Sequence, residues 1–384
     1  MRFRDALAAP GFGAIAEFKR RSPSAGDLRP SGDVAAVARS YAQAGARAMS
    51  VLVDDRFGGS WDDLRAARDA TSIPLLAKGF FSTPEHLRTA RESGADAALL
   101  LLRDLDDAAT RELMALATSL GLDTLVEAHD AEELERAIVL DAPVVGVNAR
   151  DLGTFHIDRA AQLELVARVP RDRVVVAESG IETRAQAAAA ELAGADAVLV
   201  GSTLMRAADP GEKLRELVER PLVKVCGLTR QDDVDAAVDA GADLVGFILA
   251  DESPRRAAAL LDAPPSVLRV AVFVGEEQET DADLVQLYER ENGHRSRDAV
   301  LLRGGERVGT VVDLPWEQTD ASHLERARST GGRVMLAGGL GPENVAAAVT
   351  EVRPWAVDSA RSTETSPGVK DHDALRRWVK AVRG

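Results

Sequence analysis

A chain of 384 residues is too long for one ordinary hydrophobic core, so about two domains are expected. With 46% hydrophobic and 28% charged residues it reads as a soluble globular protein, and a formal net charge of -15 disfavours non-specific nucleic-acid binding while leaving room for a local basic pocket. The single cysteine, Cys226, permits no intrachain disulfide and fits a reduced, cytoplasmic setting.

The first apolar run, Ala14-Ile15-Ala16, leads into Glu17 and Lys19. Residues two apart on a strand share a face, so an acid and a base point into one interior from the end of the first strand. Ser22-Pro23-Ser24 and Gly26 then stop the strand and open a loop. Taken alone, this could equally be a solvated charge pair at a strand end.

One phrase then recurs: a helix-like stretch, Gly-Ala, and a short run apolar throughout. It appears at Gly45-Ala46, Gly94-Ala95-Asp96, Gly194-Ala195-Asp196 and Gly241-Ala242-Asp243. Gly ends a helix in the left-handed conformation, and the run after it suits a parallel strand buried on both faces. Strands are expected near 14–19, 48–53, 74–78, 97–102, 123–127, 144–148, 174–178 and 197–201, with amphipathic helices between them, as at 32–44, 83–93, 130–139 and 182–193. Eight βα units in about 200 residues have the size of a TIM barrel. Asp209–Leu217 reads as the closing helix, Pro221 punctuates, and the pattern restarts at Leu222-Val223-Lys224-Val225-Cys226. Further strands are expected near 244–249, 269–274, 283–287, 299–302, 308–313, 333–337 and 355–358. The fold class is therefore α/β, two tandem (β/α)8 TIM barrels at 1–218 and 221–384, the second shortened between Tyr288 and His323. No full helix fits between Leu302 and Val308, and 292–298 is the most loop-like stretch.

No run is long enough to span a bilayer, and the start of the chain has no apolar core of signal-peptide length. The six histidines show neither HxH nor HExxH spacing, so no protein-held metal is expected.

In a TIM barrel the chemistry sits at the C-terminal ends of the strands. In the first unit those ends carry Glu17 and Lys19, Lys78, Glu127, Asn148, Glu178-Ser179-Gly180 and Gly201-Ser202. One such residue is commonly only a layer or capping residue. So many converging on one mouth are costly to bury without a chemical task. A lysine among carboxylates can donate a proton or bind an anion, and a nearby glutamate can be tuned as a base.

The segments Ala16–Ser24, Phe57-Gly58-Gly59-Ser60, Leu125–Asp130, Val147–Leu152 and Ala177–Ile181 resemble indole-3-glycerol-phosphate synthase in the right order over nearly all of residues 1–218. The resemblance implies Lys78 as general acid and Glu127 as its acid/base partner. Glu17, Lys19, Asn148, Arg150 and Glu178 would hold the anthranilate carboxylate and the ribulose hydroxyls. Ser22, Ser179, Gly180, Gly201 and Ser202 would line the substrate, the last three near its phosphate. There are departures: only 16 residues precede Glu17, where the family has a longer helical extension, Val53 replaces a Thr, and Gly79 replaces an Asp.

The second unit resembles phosphoribosylanthranilate isomerase through Lys224–Arg230, Gly246-Phe247 to Ser253-Pro254-Arg255, Val272–Val274, Val285–Leu287, Ala337–Leu340 and Ser366–Asp371. The resemblance implies Cys226 as base, Asp313 at the end of strand six as acid, and Arg255 on the anthranilate carboxylate, with Gly338 and Gly339 among the substrate contacts. Here Tyr288 replaces a His, Leu314-Pro315-Trp316-Glu317 stands where a glycine-rich loop is expected, and Ala360-Arg361-Ser362 replaces a Ser-Ser-Gly phosphate turn. Lost glycines remove backbone N–H groups that approach a phosphate closely, and Arg361 can offset this with charge.

The leading expectation is a fused tryptophan-pathway enzyme, a monomer acting without a cofactor on phosphorylated sugar–anthranilate substrates, with no nucleic-acid or membrane partner. Its isomerase should be weak beside the synthase, or absent. The alternatives are a monofunctional synthase whose second barrel is a degenerate structural module, and a pair of sugar-phosphate barrels acting on another substrate.

Overall fold

The computed structural model describes residues 2–22, 26–151, 153–313 and 322–384. Pro23 and Ser24 of the first loop, Leu152, and the Leu314–Glu317 stretch lie outside the described residues. Two compact units emerge: Met1–Glu182 with Ala187–Val218, and Thr183–Gln186 with Glu219–Gly384.

The first unit is a closed barrel of strands β1 (Gly13–Phe18), β2 (Ala48–Leu52), β3 (Leu75–Lys78), β4 (Ala97–Leu101), β5 (Asp123–Ala128), β6 (Val144–Asn148), β7 (Val174–Glu178) and β8 (Ala197–Val200). Each strand pairs in parallel with its sequence neighbours, and β8 closes onto β1 with Gly13 opposite Ala197. These strands are apolar runs because both faces are covered. Ile15, Leu76, Leu99, Leu125, Val176 and Leu199 pack in the barrel interior cluster, while the alternate positions meet the surrounding helices. The helices begin at side-chain caps: Asp33, Ser60, Asp106, Asp130 and Asp158 each accept a hydrogen bond from a backbone N–H of the first turn.

The recurring Gly-Ala-Asp phrase has a physical explanation in two parts. Gly94, Gly194 and Gly241 take φ of +92°, +111° and +97°, ending their helices in the left-handed region. The aspartate two residues later then accepts a hydrogen bond from the first strand of its pair: Asp96 from Leu75 N, Asp196 from Val175 N and Asp243 from Val223 N, each at 2.8 Å.

The second unit is also a closed eight-stranded barrel: β9 (Leu222–Cys226), β10 (Leu244–Ile248), β11 (Leu268–Val274), β12 (Leu284–Glu291), β13 (His294–Arg303), β14 (Glu306–Val312), β15 (Val334–Leu336) and β16 (Ala356–Ser359). Its shortening takes a form the sequence pattern did not suggest. Strand β13 is reversed, pairing antiparallel with both β12 and β14. Two-residue turns make the reversals. Asn292 and Gly293 have φ of +52° and +83°, and Gly304 and Gly305 have +55° and +79°, the signs of a type I′ hairpin. The 292–298 stretch is therefore not a loop: only its first two residues turn, and His294 already begins a strand. Among the described residues, helices follow β9, β14, β15 and β16, at Gln231–Asp239, Ser322–Ser329, Val345–Val352 and His372–Arg383.

Candidate active sites

At the C-terminal mouth of the first barrel, Lys78 ends β3 beneath three carboxylates. Its Nζ lies 2.5 Å from Glu178 Oε2, 3.5 Å from Glu127 Oε2 and 3.7 Å from Glu17 Oε2. Glu17, Glu127 and Glu178 are only 3, 2 and 1% exposed, so these are buried charges. Lys19 Nζ pairs with Glu17 Oε1 at 2.7 Å. Asn148 Nδ2 donates to Glu127 Oε1 at 2.8 Å, and its Oδ1 accepts from Arg150 N at 3.0 Å. Gln162 Nε2 donates to the carbonyls of Val147 and Glu178 and ties the ends of β6 and β7 together. Ser22, Ser179, Gly180, Gly201 and Ser202 line the same cavity of about 360 Å³, along with Phe57, Phe80 and Arg206.

Two glycines make room for the carboxylates. A Cβ on Gly146 would lie 2.3 Å from Glu178 Oε1, and one on Gly201 would lie 2.2 Å from Glu17 Oε1. Gly201 has φ of -122°, so the conflict there is purely steric. Gly201→Ala should therefore keep the fold but displace Glu17. A shift of this kind costs on the order of 10²-fold in turnover. Unchanged turnover in that variant would show that Glu17 need not sit where it does.

The charges tune one another. Burial alone would lower the Lys78 pKa, but Glu178, Glu127 and Glu17 overrule it and hold the ammonium strongly charged. Burial and the adjacent Glu127 charge push Glu178 up to about 8 against the pull of Lys78. Burial would also raise Glu127, yet Lys78 and His129 keep it well below the ordinary carboxylate range. Two carboxylates in one pocket are thus driven apart, one toward the acid form and one toward the base form.

At the mouth of the second barrel, Cys226 ends β9 and Asp313 follows β14, and both line a cavity of about 470 Å³ with Arg255, Gly338 and Gly339. Tyr288 OH donates to Asp313 Oδ2 at 3.1 Å and accepts from Gln286 Nε2 at 2.8 Å. Arg295 Nη2 donates to the same Asp313 oxygen at 2.9 Å. Arg255 reaches the cavity with its guanidinium already clamped on Glu364, Nε at 2.9 Å and Nη2 at 2.8 Å from Oε2. Beneath Cys226, the fully buried Lys224 donates to Gln286 at 2.6 Å and Asp358 at 2.9 Å. Burial raises the Cys226 thiol pKa, and Lys224 opposes that rise.

Over residues 1–217 the chain matches the sequence model of the family described as indole-3-glycerol phosphate synthase. The chain belongs to that family. The indole-3-glycerol phosphate synthase of Mycobacterium ulcerans (strain Agy99) is 46% identical over 214 residues, which are 56% of this chain and 79% of that protein. The synthase of Mycolicibacterium smegmatis is 46% identical over the same shares. Residues 279–381 match a second family, N-(5'-phosphoribosyl)anthranilate isomerase. The phosphoribosyl anthranilate isomerase structure from Thermotoga maritima is 28% identical, covering 43% of this chain and 99% of that chain at a TM-score of 0.35. A chain of the synthase family thus carries a match to the isomerase family as well, and both families belong to tryptophan biosynthesis. The reading of the second barrel as an inactive structural module is not favoured.

The structure also brings two departures of the synthase domain together. A Cβ on Gly79 would lie 2.8 Å from the Phe81 ring and 3.3 Å from Val53 Cγ2. Phe81 and Val53 thus give the Gly79 position an apolar surround with no room for a larger side chain.

The synthase site includes a residue not anticipated from sequence. His129 places Nε2 at 3.1 Å from Glu127 Oε1 and Nδ1 at 3.0 Å from Glu133 Oε2. Burial alone would lower its pKa, but those two carboxylates push it up to about 10. An unfolded histidine titrates near ~6.5. The folded state holds the proton more tightly, so this stabilisation is complete below about 6.5 and fades as pH rises through about 10. His129→Gln should therefore lose most stability, relative to wild type, at the acid end of that window. Urea midpoints across it check this, and a difference that grows toward high pH would mean that His129 is not held charged.

Proposed function

We propose that residues 1–218 form the synthase unit and 221–384 the isomerase unit, each with its own catalytic set. In the first, the ring carbon that bears the substrate carboxylate bonds to the ketone carbon of the 1-deoxyribulose chain, and Lys78 gives the ketone oxygen its proton. Carbon dioxide leaves and its bonding pair restores the ring. The new hydroxyl then takes a second proton, from the acid form of Glu178, and leaves as water while Glu127 takes a proton from the adjacent methylene, giving indole-3-glycerol phosphate. Lys78 releases a proton only once a carboxylate contact is relieved. The ketone oxygen does this by taking the place of Glu178, whose own rise to about 8 keeps it largely in the acid form near neutral pH and so able to leave the ammonium. Glu17, Lys19, Asn148, Arg150 and Glu178 orient the carboxylate and hydroxyls, with Ser22 and Ser179 alongside. The aromatic ring rests against Phe57 and Phe80. The observation that carries this reading is the single ammonium ringed by three buried carboxylates.

The phosphate belongs beside Gly180, Gly201 and Ser202 at the ends of β7 and β8, the usual phosphate position of this fold. A crystal soaked in inorganic phosphate checks the placement. An anion bound only elsewhere in the synthase barrel would count against it.

In the isomerase unit, Cys226 takes the proton from C2 of the phosphoribosyl group while Asp313 protonates the ring oxygen. The ring opens to the enolamine, the Cys226 thiol returns a proton to C1, and the C2 hydroxyl gives its proton to the Asp313 carboxylate as the ketone of the aminodeoxyribulose forms. Gly338, Gly339 and Arg361 face the phosphate. Each catalytic set is complete within one chain, so a monomer suffices; light scattering on the purified protein checks this. Among the described residues no helix is long and apolar enough to cross a membrane. The single cysteine and the charge of -15 support a cytoplasmic enzyme without a nucleic-acid partner.

A further inference from the structure

We propose that Lys224, Gln286 and Tyr288 form a one-way chain of hydrogen bonds that fixes the proton of Asp313 on its Oδ1, with Tyr288 the positioning residue for the acid. The inference rests on the isomerase reading of the second barrel.

The direction of the chain follows from its first member. Lys224 is fully buried on β9. Burial works against its charge, but Asp358 overrules burial and keeps it an ammonium, which can only donate. Its Nζ lies 2.6 Å from Gln286 Oε1, so that amide oxygen accepts and Nε2 faces the other way. Nε2 in turn reaches Tyr288 OH at 2.8 Å, and an amide nitrogen also only donates. The phenol oxygen is thereby the acceptor, and its single proton is left for Asp313 Oδ2 at 3.1 Å. Gln286 and Tyr288 stand two apart on one face of β12, and both line the cavity. Burial and the Asp313 charge push the phenol well above its ordinary pKa, so this proton stays in place.

A second donor completes the arrangement. Arg295 Nη2 donates to the same Oδ2 at 2.9 Å. A carboxyl oxygen offers two lone pairs, and both on Oδ2 are then filled. A proton on Asp313 therefore sits on Oδ1. Burial raises the Asp313 pKa with both donors in place, so the acid form is within reach. When Oδ1 gives its proton to the ring oxygen, the charge left behind spreads onto Oδ2, where the two donors already point. The C2 hydroxyl later restores the proton. Of the two donors, Tyr288 is the buried one and the one whose direction is dictated from behind.

The same reasoning accounts for a departure from the family pattern. Position 288 must accept from an amide and donate to a carboxyl at once. A phenol does both with one oxygen, and a neutral imidazole does both with its two nitrogens. Tyr288 in place of a His thus keeps the chemistry of the link.

The chain has two tyrosines, Tyr41 and Tyr288. The full chain labelled with carbon-13 at the tyrosine ζ carbon should give two signals, which Tyr288→Phe assigns. The Tyr288 signal should step as Asp313 titrates, and Asp313→Asn should remove the step. In kinetics, Tyr288→Phe should lower isomerase kcat by about 10- to 100-fold with KM little changed, and Tyr288→His should recover part of the loss. Gln286→Glu turns the donor at 286 into an acceptor and draws the phenol proton away from Asp313. Adding Tyr288→Phe to it should therefore cost little more. A Tyr288 signal blind to Asp313, an unchanged kcat in Tyr288→Phe, or full additivity of the two substitutions would overturn the proposal. A wild type without isomerase turnover would contradict the isomerase reading instead, while the carbon-13 signals still judge the link from Tyr288 to Asp313.

Discussion

Lys78→Ala should lower synthase turnover by on the order of 10²-fold or more, the scale of a general acid held in position. The reaction has to place a proton on a ketone oxygen in a pocket shielded from water, and Lys78 is the ammonium at its centre, 2.5 Å from Glu178 and 3.5 Å from Glu127. Removing it also leaves carboxylates buried without their counter-charge. They can respond by taking up protons, so some loss of stability should accompany the loss of rate. Lys78→Arg separates the two effects. It keeps a positive charge among the carboxylates, but a guanidinium does not give up a proton in a protein. The Arg variant should therefore be well folded and nearly as slow as the Ala variant. Near-normal turnover in either would remove Lys78 from the proton-transfer step.

Cys226→Ala should abolish isomerase turnover and leave synthase turnover unchanged. The thiol is the base of the proposed proton abstraction and stands in the same cavity as Asp313, the acid. Lys224 sits two residues before it on β9. A Cβ at Gly246 would come 2.8 Å from Cys226 Sγ and 2.9 Å from Lys224 Cε, so both side chains press on the same glycine. The buried ammonium thus lies close to the sulfur and opposes the rise that burial imposes on the thiol. Steady-state kinetics on each half-reaction, with the other substrate absent, measure both numbers. Isomerase turnover that survives the substitution would assign the base elsewhere. Synthase turnover that falls with it would mean that the two catalytic sets are coupled.

Much of this architecture is legible in the sequence because parallel strands buried on both faces leave a simple trace. The Gly-Ala phrase marks helix ends, the apolar run after it marks the next strand, and polar residues at the run's end mark the mouth. The alternation rule that placed Glu17 and Lys19 on one face applies equally to Glu127 and His129, and to Lys224 and Cys226. Both pairs could have been read from spacing alone. The Asn292-Gly293 and Gly304-Gly305 turns were also on the page as hairpin signals. They were obscured by the expectation that every strand in a repeating βα chain runs the same way. What spacing could not reveal is the contact between Arg295 and Asp313, because it exists only if β13 is reversed. The closeness of Val53 to Gly79 was hidden for a similar reason: the two positions meet only when their strands lie side by side.

The most direct test supplies the purified full-length chain with N-(5-phosphoribosyl)anthranilate alone and follows the product by fluorescence and mass spectrometry. Both domains acting in sequence should convert it to indole-3-glycerol phosphate, carbon dioxide and water with no other enzyme added. Accumulation of the aminodeoxyribulose without indole would contradict the synthase site built around Lys78. Persistence of the starting material, in a preparation that closes the aminodeoxyribulose when given it directly, would contradict the isomerase site built around Cys226 and Asp313.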